Sequence, residues 1–214
     1  MPSDLPSPQK DSPQADSLQR PATRREQAKA ARRVEILAAA ARLFALRGYG
    51  GVRLEDIGAE VGISGPAMYR HFESKSELLD TILVDISERL HAGGVAAAAS
   101  EGTPDDRLRR LIEFHIDVLV TRPDLISVQD RDLFSLSDEA RYRVRSLQRR
   151  YVEEWVGVLM EHARTRGVEV EPVEARVRVH ATFGLLNSSP RLPDYPRDRL
   201  RGLLTAMALG ALSG

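Results

Sequence analysis

The chain has 214 residues, 42% hydrophobic and 29% charged, with 31 basic and 31 acidic side chains and a formal net charge of zero. Such a composition supplies a sizeable core and excludes a polybasic coat for nucleic acid. The absence of cysteine excludes disulfides, thiolate metal sites and cysteine nucleophiles, and fits a reducing cytosol.

Residues 1–21 hold five prolines (Pro2, Pro6, Pro8, Pro13, Pro21) among Ser, Asp and Gln. This start has no apolar core, so it does not read as a secretory signal. It cannot bury enough apolar area to offset its ordering entropy, and a disordered tail is expected over 1–23. The longest uncharged stretch, Gly202–Gly214, is shorter than the roughly 18 apolar residues of a membrane span. A soluble cytoplasmic protein with no membrane partner is therefore expected.

Charge is unevenly spread. Between Arg20 and Ser76 eleven Lys/Arg face six Asp/Glu, whereas the chain after Ser76 carries twenty-two acidic and nineteen basic residues. A local basic surplus is what a phosphate-facing surface needs. The run Arg24, Arg25, Lys29, Arg32, Arg33 reads either as a solvated helix start or as an arm touching phosphates.

The first helix is predicted over about 27–47, where Leu37, Ala40, Ala41, Phe44 and Gly48 repeat with helical spacing and Gly48 offers a left-handed end. A short helix over about 54–61 carries Leu54, Ile57 and Val61, and Gly62 breaks it. Ser64 can cap a third helix over about 65–71, whose first turn tolerates Pro66. Ser74 caps a long fourth helix, with Glu77 completing a capping box and Leu79, Ile82, Leu83, Ile86 and Leu90 along one face. The Gly/Ala/Ser stretch 92–103 and Pro104 read as a separator. Further helical patterns cover about 105–121, 124–133, 138–166, 172–187 and 197–212, with a proline-rich loop after Ser189. No alternating strand pattern appears. The fold class is all-α, about nine helices, divided into a helix-turn-helix domain over 24–75 and a second helical domain over 76–214.

Two helices joined by a tight glycine turn, the second short and polar, describe a helix-turn-helix, with Gly58 and Ala59 small where the helices cross. Its second helix can enter a major groove, and Tyr69, Arg70, His71 and Lys75 lie on it or just beyond. The segments Leu54-Glu55-Asp56-Ile57-Gly58 and Gly62-Ile63-Ser64-Gly65-Pro66-Ala67-Met68-Tyr69-Arg70-His71-Phe72, followed by Ser74-Lys75 and Glu77-Leu78-Leu79, resemble the N-terminal signature of TetR-family transcriptional regulators. The resemblance covers roughly residues 33–90; beyond that, only length and helical layout match.

The resemblance implies a homodimeric regulator of double-stranded operator DNA, most often a repressor released by a small-molecule effector. Tyr69, His71 and Lys75 would bind backbone phosphates; Arg33 and Ser64 would lie at the same surface; and Gly65, Pro66, Ala67 and Arg70 would lie near base edges. Phe72 would be core. Arg53 stands where the family usually places Thr or Ser, and Gly65 where lysine is frequent. With only small or apolar side chains over Gly65–Ala67, reading there would favour thymine methyls and shape.

The resemblance also implies dimerisation through the last two helices, for which Phe183, Leu185, Leu186, Leu203, Leu204, Met207 and Leu209 offer apolar surface, unless they pack within one chain. Helices over about 105–187 would enclose an effector cavity. Candidate lining residues are Phe114, His115, Leu119, Phe134, Trp155, Leu159, His180 and Phe183, which equally fit plain core. His115 and His180 need a partner, be it a carboxylate, a tyrosine hydroxyl or the ligand. The apolar lining points to a lipophilic effector, with acyl or acyl-CoA compounds in view.

No HExxH, phosphate-cradling glycine loop or nucleophile elbow is present, and the histidines lack metal-ligand spacing, so neither a metal nor a cofactor is expected. The rival readings are an activator of the same fold and an all-helical enzyme built on carboxylates.

Overall fold

The computed structural model describes residues 23–213, which form nine α-helices and two 3₁₀ turns with no strand among them. Of the tail expected over 1–23, only Thr23 lies within the described residues. It is the N-cap of α1 (Arg24–Arg47): its hydroxyl accepts from the Glu26 N–H at 3.3 Å, and its own N–H donates to the Glu26 carboxylate at 2.7 Å. The buried stripe of α1 runs through Ile36, Ala39, Ala40, Leu43 and Phe44, while Leu37 is half-buried.

The short helices α2 (Leu54–Glu60) and α3 (Gly65–Met68) follow, then the long α4 (Lys75–Ala98). Ser74 caps α4 as expected, accepting from the Glu77 N–H at 3.1 Å. The returning Glu77 carboxylate takes the N–H of Glu73 at 2.6 Å, one residue upstream of where a capping box would place it.

The expected separator is corrected by the structure. Gly93 and Gly94 lie inside α4, which continues to Ala98. A Cβ on Gly93 would collide with the Phe114 ring, and one on Gly94 with the Tyr151 ring. Each helical glycine costs about 1 kcal/mol relative to alanine. Here that cost permits α5 (Pro104–Thr121) and α7 (Asp138–Thr165) to press aromatic side chains against the α4 backbone.

Helix α6 (Pro123–Asp132) packs on both α1 and α4, and α8 (Pro172–Asn187) and α9 (Arg197–Ser213) close the far side against α5 and α7. One apolar cluster runs unbroken from Ile36 to Leu212, so the first three helices share a core with the rest through α4. Among the described residues no helix is long and apolar enough to cross a membrane.

Candidate nucleic-acid interface and adjoining cavity

The helix pair α2–α3 is shaped by two glycines and held by its neighbours. Gly62 adopts φ +68°, a left-handed turn that a residue with a side chain rarely takes. Gly58 allows the turn to fold back: the Ile63 N–H donates to the Gly58 carbonyl at 2.9 Å, and a Cβ at 58 would lie 2.9 Å from both the Ile63 carbonyl oxygen and Met68 Cγ. A four-residue helix has no stability of its own. Met68 and Phe72, both fully buried, anchor α3 from beneath.

Three cations expected near DNA are turned inward. Arg33 donates to the His71 carbonyl at 2.8 Å, lies 3.9 Å over the Phe72 ring and approaches Glu77 at 3.6 Å, tying α1, α3 and α4 together. Arg32 donates to the Val61 carbonyl at 3.1 Å. Lys75 donates to the carbonyls of Tyr49 and Val52 at 2.8 Å each and sits over the Tyr49 ring. All three donate to the carbonyls of turns and helix ends, which no helical hydrogen bond satisfies.

What remains outward forms one face. Tyr69 is 55% exposed, and Arg70, Arg53, Pro66 and Ser64 are exposed beside it. Among the described residues the side chains of Tyr69, Arg70 and Arg53 have no hydrogen-bond or ion-pair partner, and Ser64 occupies the N-cap position of α3 without a side-chain capping bond. Arg53 likewise occupies the N-cap of α2 without a side-chain cap; its backbone N–H instead donates to Asp56 at 2.8 Å. Gly65 and Ala67 are half-buried, and a Cβ on Gly65 would meet only Glu55 Cγ at an ordinary 3.5 Å, so the fold does not demand glycine there. His71 is half-buried with its Nδ1 shielded and unpartnered. Burial first, then the positive charges of Lys29, Arg32, Arg70 and Arg33, push its pKa below the usual imidazole value.

The second site is a cavity of about 320 Å³ among α4–α8. Of the eight residues expected to line it, His115, His180 and Phe183 do. The other five are corrected. Leu119, Trp155 and Leu159 are packed in the core, Phe114 lies against Gly93, and Phe134 is 77% exposed on the 3₁₀ turn Leu133–Ser135. Helical periodicity identifies an apolar side; it does not reveal where packing leaves a gap.

Missed in the sequence were the polar contributors Ser87, Gln129, Asp130, Gln148 and Asn187. Their one signal is position, with Ser87 and Gln129 interrupting the apolar faces of α4 and α6. At the cavity wall the rings of His115 and Phe183 stack at 4.9 Å, and those of Tyr151 and Phe183 at 5.5 Å. Asn187 Oδ1 lies 3.2 Å from His115 Nε2, and the Tyr151 hydroxyl lies 3.0 Å from Nδ1. An amide oxygen only accepts, so Nε2 carries the proton and donates to it, and Nδ1 accepts from tyrosine. Burial lowers the His115 pKa to about 4 and pushes the Tyr151 hydroxyl up, so both are neutral at pH 7.

On the far side, α8 exposes Val173 and Val177, and α9 exposes Leu203 and Met207, each pair four residues apart. Leu186 and Leu204 are buried within the chain, and Leu185 and Leu209 half-buried. The two helices thus keep exposed apolar side chains that no described residue covers.

Comparison with known proteins agrees with this architecture. Residues 36–82 match the family model described as bacterial regulatory proteins, tetR family, and residues 101–191 match that of the tetracyclin repressor-like C-terminal domain. The chain is 33% identical over 88 residues to the HTH-type transcriptional activator FasR of Mycolicibacterium smegmatis, an alignment spanning 41% of this chain and 40% of that protein. It is 29% identical over 132 residues to the HTH-type transcriptional repressor KstR2 of Rhodococcus jostii, spanning 61% of this chain and 65% of the repressor. The chain therefore matches less than two thirds of the length of either relative. The crystal structure of the TetR-family regulator PfmR from Thermus thermophilus superposes with a TM-score of 0.72 at 27% identity, covering 90% of this chain and 97% of that one.

Proposed function

Because the chain belongs to the TetR family of bacterial regulatory proteins, it is a DNA-binding transcriptional regulator, and we propose that it is a homodimeric repressor released from its operator by a small lipophilic molecule. The observation that carries the DNA-facing half of this proposal is the outward face of α3. Tyr69, Arg70 and Arg53 present unpaired donors there, while Arg32, Arg33 and Lys75 are spent holding that face in place. Tyr69, His71 and Arg53 would take phosphates, and Arg70 would reach a base edge. Ser64 and the small Gly65–Ala67 face would read shape and thymine methyls at the groove floor. Lys75 would act mainly as a clamp on the Tyr49–Val52 turn.

A single copy presents one recognition helix, whereas an operator with two half-sites requires two at a fixed spacing. The uncovered seam of Val173, Val177, Leu203 and Met207 supports a partner copy packed there as a four-helix bundle. The aromatic wall of the cavity supports a lipophilic effector. Among the described residues the lining holds no lysine or arginine for the phosphates of an acyl-CoA, so only the acyl portion of such a molecule would enter.

Two helices join the sites. Helix α4 begins with the Lys75 clamp and supplies Ser87 and Leu90 to the cavity. Helix α6 supplies Gln129 and Asp130, and the next residue, Arg131, donates to the carbonyls of Phe44 and Ala45 at the end of α1. A ligand that shifts either helix would change the separation of the recognition helices. A coupling of about 1–3 kcal/mol releases DNA roughly 5- to 150-fold.

The test is transcription in vitro from a promoter that the purified protein footprints. Repression predicts that added protein lowers transcript yield. A rise in yield would establish activation instead, and the absence of any footprint on promoter DNA would overturn the regulatory reading.

A further inference from the structure

We propose that Arg131 is the positioning residue through which the cavity acts on the helix-turn-helix: the signal leaves by the last turn of α6 and enters at the end of α1, while α4 stays fixed. This rests on the reading of the cavity as the effector site and names the route by which that site is coupled.

Three consecutive residues of one helical turn face three ways. Asp130 lines the cavity, Arg131 reaches α1, and Asp132 is buried. The Arg131 guanidinium donates to the Phe44 carbonyl and, at 3.3 Å, to the Ala45 carbonyl, and the Asp132 carboxylate holds it there at 3.1 Å. Both carbonyls belong to the last turn of α1, the negative end of the helix dipole, where a cation is favoured. Helix α1 in turn grips the helix pair, through Arg32 to the Val61 carbonyl at 3.1 Å and Arg33 to the His71 carbonyl at 2.8 Å. A shift at Phe44–Ala45 is therefore carried along one continuous helix to the ends of both α2 and α3.

The two helices that join the sites differ in their freedom to move. Helix α4 is wedged at the level of the cavity, with the Phe114 ring against Gly93, the Tyr151 ring against Gly94, and Glu88 paired with Arg143. Moving it would disrupt contacts packed without slack. Helix α6 has only ten residues and begins at Arg122 without a side-chain cap. Among the described residues, the side-chain hydrogen bonds it makes beyond itself are those of Arg131 to α1 and the bond of Asp130 to the exposed Arg191, long at 3.4 Å.

The cavity also supplies the force. Asp130 is the one carboxylate among the described lining residues, and partial burial already raises its pKa. A lipophilic occupant would strip further water from it, so the charge would turn away toward Arg191 and solvent. That rotation takes the rest of the turn with it and draws Arg131 off the α1 carbonyls.

The chain contains no cysteine, so one introduced thiol accepts a label of known structure in the otherwise complete protein. Gln148→Cys places the thiol on α7, in the cavity wall but on neither joining helix, and benzyl methanethiosulfonate then sets a single ring in the cavity. Mass spectrometry confirms modification, melting and size-exclusion confirm fold and dimer, and anisotropy of a fluorescent operator reads affinity. Modification should weaken operator binding about fivefold or more. With Arg131→Met added, the unmodified protein should already bind about threefold or more weakly, and modification should change affinity by less than about twofold. Arg131→Lys, which keeps a cationic donor, should restore most of the response, and Lys75→Met, which loosens the start of α4, should leave the response intact. A full response in Arg131→Met, or its loss in Lys75→Met, would overturn the α6 route and leave the effector site standing. No response in the Gln148→Cys chain itself would overturn the reading of the cavity as the effector site, and the proposal with it.

Discussion

The module proposed to read DNA and the cavity-bearing domain are held together in different ways. In the first, helices of seven and four residues are stitched in place by cations that reach backbone carbonyls: Arg32 to Val61, Arg33 to His71, Lys75 to Tyr49 and Val52. In the second, helices of up to 28 residues pack through apolar faces and ring contacts around a cavity of about 320 Å³. The surface proposed to meet DNA is over-determined by its neighbours. The cavity proposed for an effector instead keeps empty volume. The contrast is between a surface fixed by its neighbours and a core with room in it, and it can be broken at several points.

The largest effect should come from Gly58→Val. Its side chain would run into the Ile63 carbonyl and Met68, costing on the order of 3 kcal/mol and abolishing operator binding in anisotropy titrations. Gly184→Ala, entering open space, should leave stability unchanged or raised by up to about 1 kcal/mol in urea melts. Equal damage from both would erase the distinction between the regions.

Acid comes next, and it acts on the cavity side. With a pKa of about 4 in the folded chain against about 6.5 unfolded, His115 has no linkage effect above pH 6.5, where both states are neutral. Below that the unfolded chain binds the proton first, so His115 should remove about 3 kcal/mol of stability by pH 4. Denaturant melts of His115→Gln should show a correspondingly shallower acid loss over the same range.

Lys75→Met should cost about 2 kcal/mol by taking the ammonium donor from the Val52 carbonyl and leaving the Tyr49 carbonyl only the Val52 N–H at 3.4 Å. A lysine used mainly as a phosphate hook would behave differently: melting would be unchanged and operator affinity alone would fall.

A smaller signal belongs to His71. Its pKa is lowered in the free chain by burial and by the cations around it, and a phosphate alongside would raise it. Binding would then take up a proton, so operator affinity should tighten a few-fold as pH falls from 8 toward 6. The trend should vanish in His71→Gln.

The two regions also differ in how much of them was legible in the sequence. The turn at Gly62 and the cap at Ser74 rest on signals within a few residues and the burial of Phe72 on the family resemblance, and the structure has all three as expected. The interior position of Gly93 and Gly94 depends on rings from α5 and α7, tens of residues away, so composition alone read them as a break. The inward turn of Arg33 and Lys75 depends on which carbonyls the fold leaves unsatisfied, which no spacing rule reports. For the cavity, periodicity marked His115 and Phe183 correctly as facing inward. It could not separate them from Leu119 and Leu159 on similar stripes, because a gap belongs to the packing of five helices together.

The most direct test of the central claim is the operator affinity of Tyr69→Ala/His71→Ala, measured across a salt series at pH 8 beside the unaltered chain. Neither substitution removes a lysine or arginine, so affinity should fall about tenfold or more at every salt concentration. The slope of log affinity against log salt, set by the remaining cations, should stay nearly parallel, with melting and dimerisation unchanged. Operator affinity equal to that of the unaltered chain would contradict the assignment of the α3 face as the DNA-reading surface.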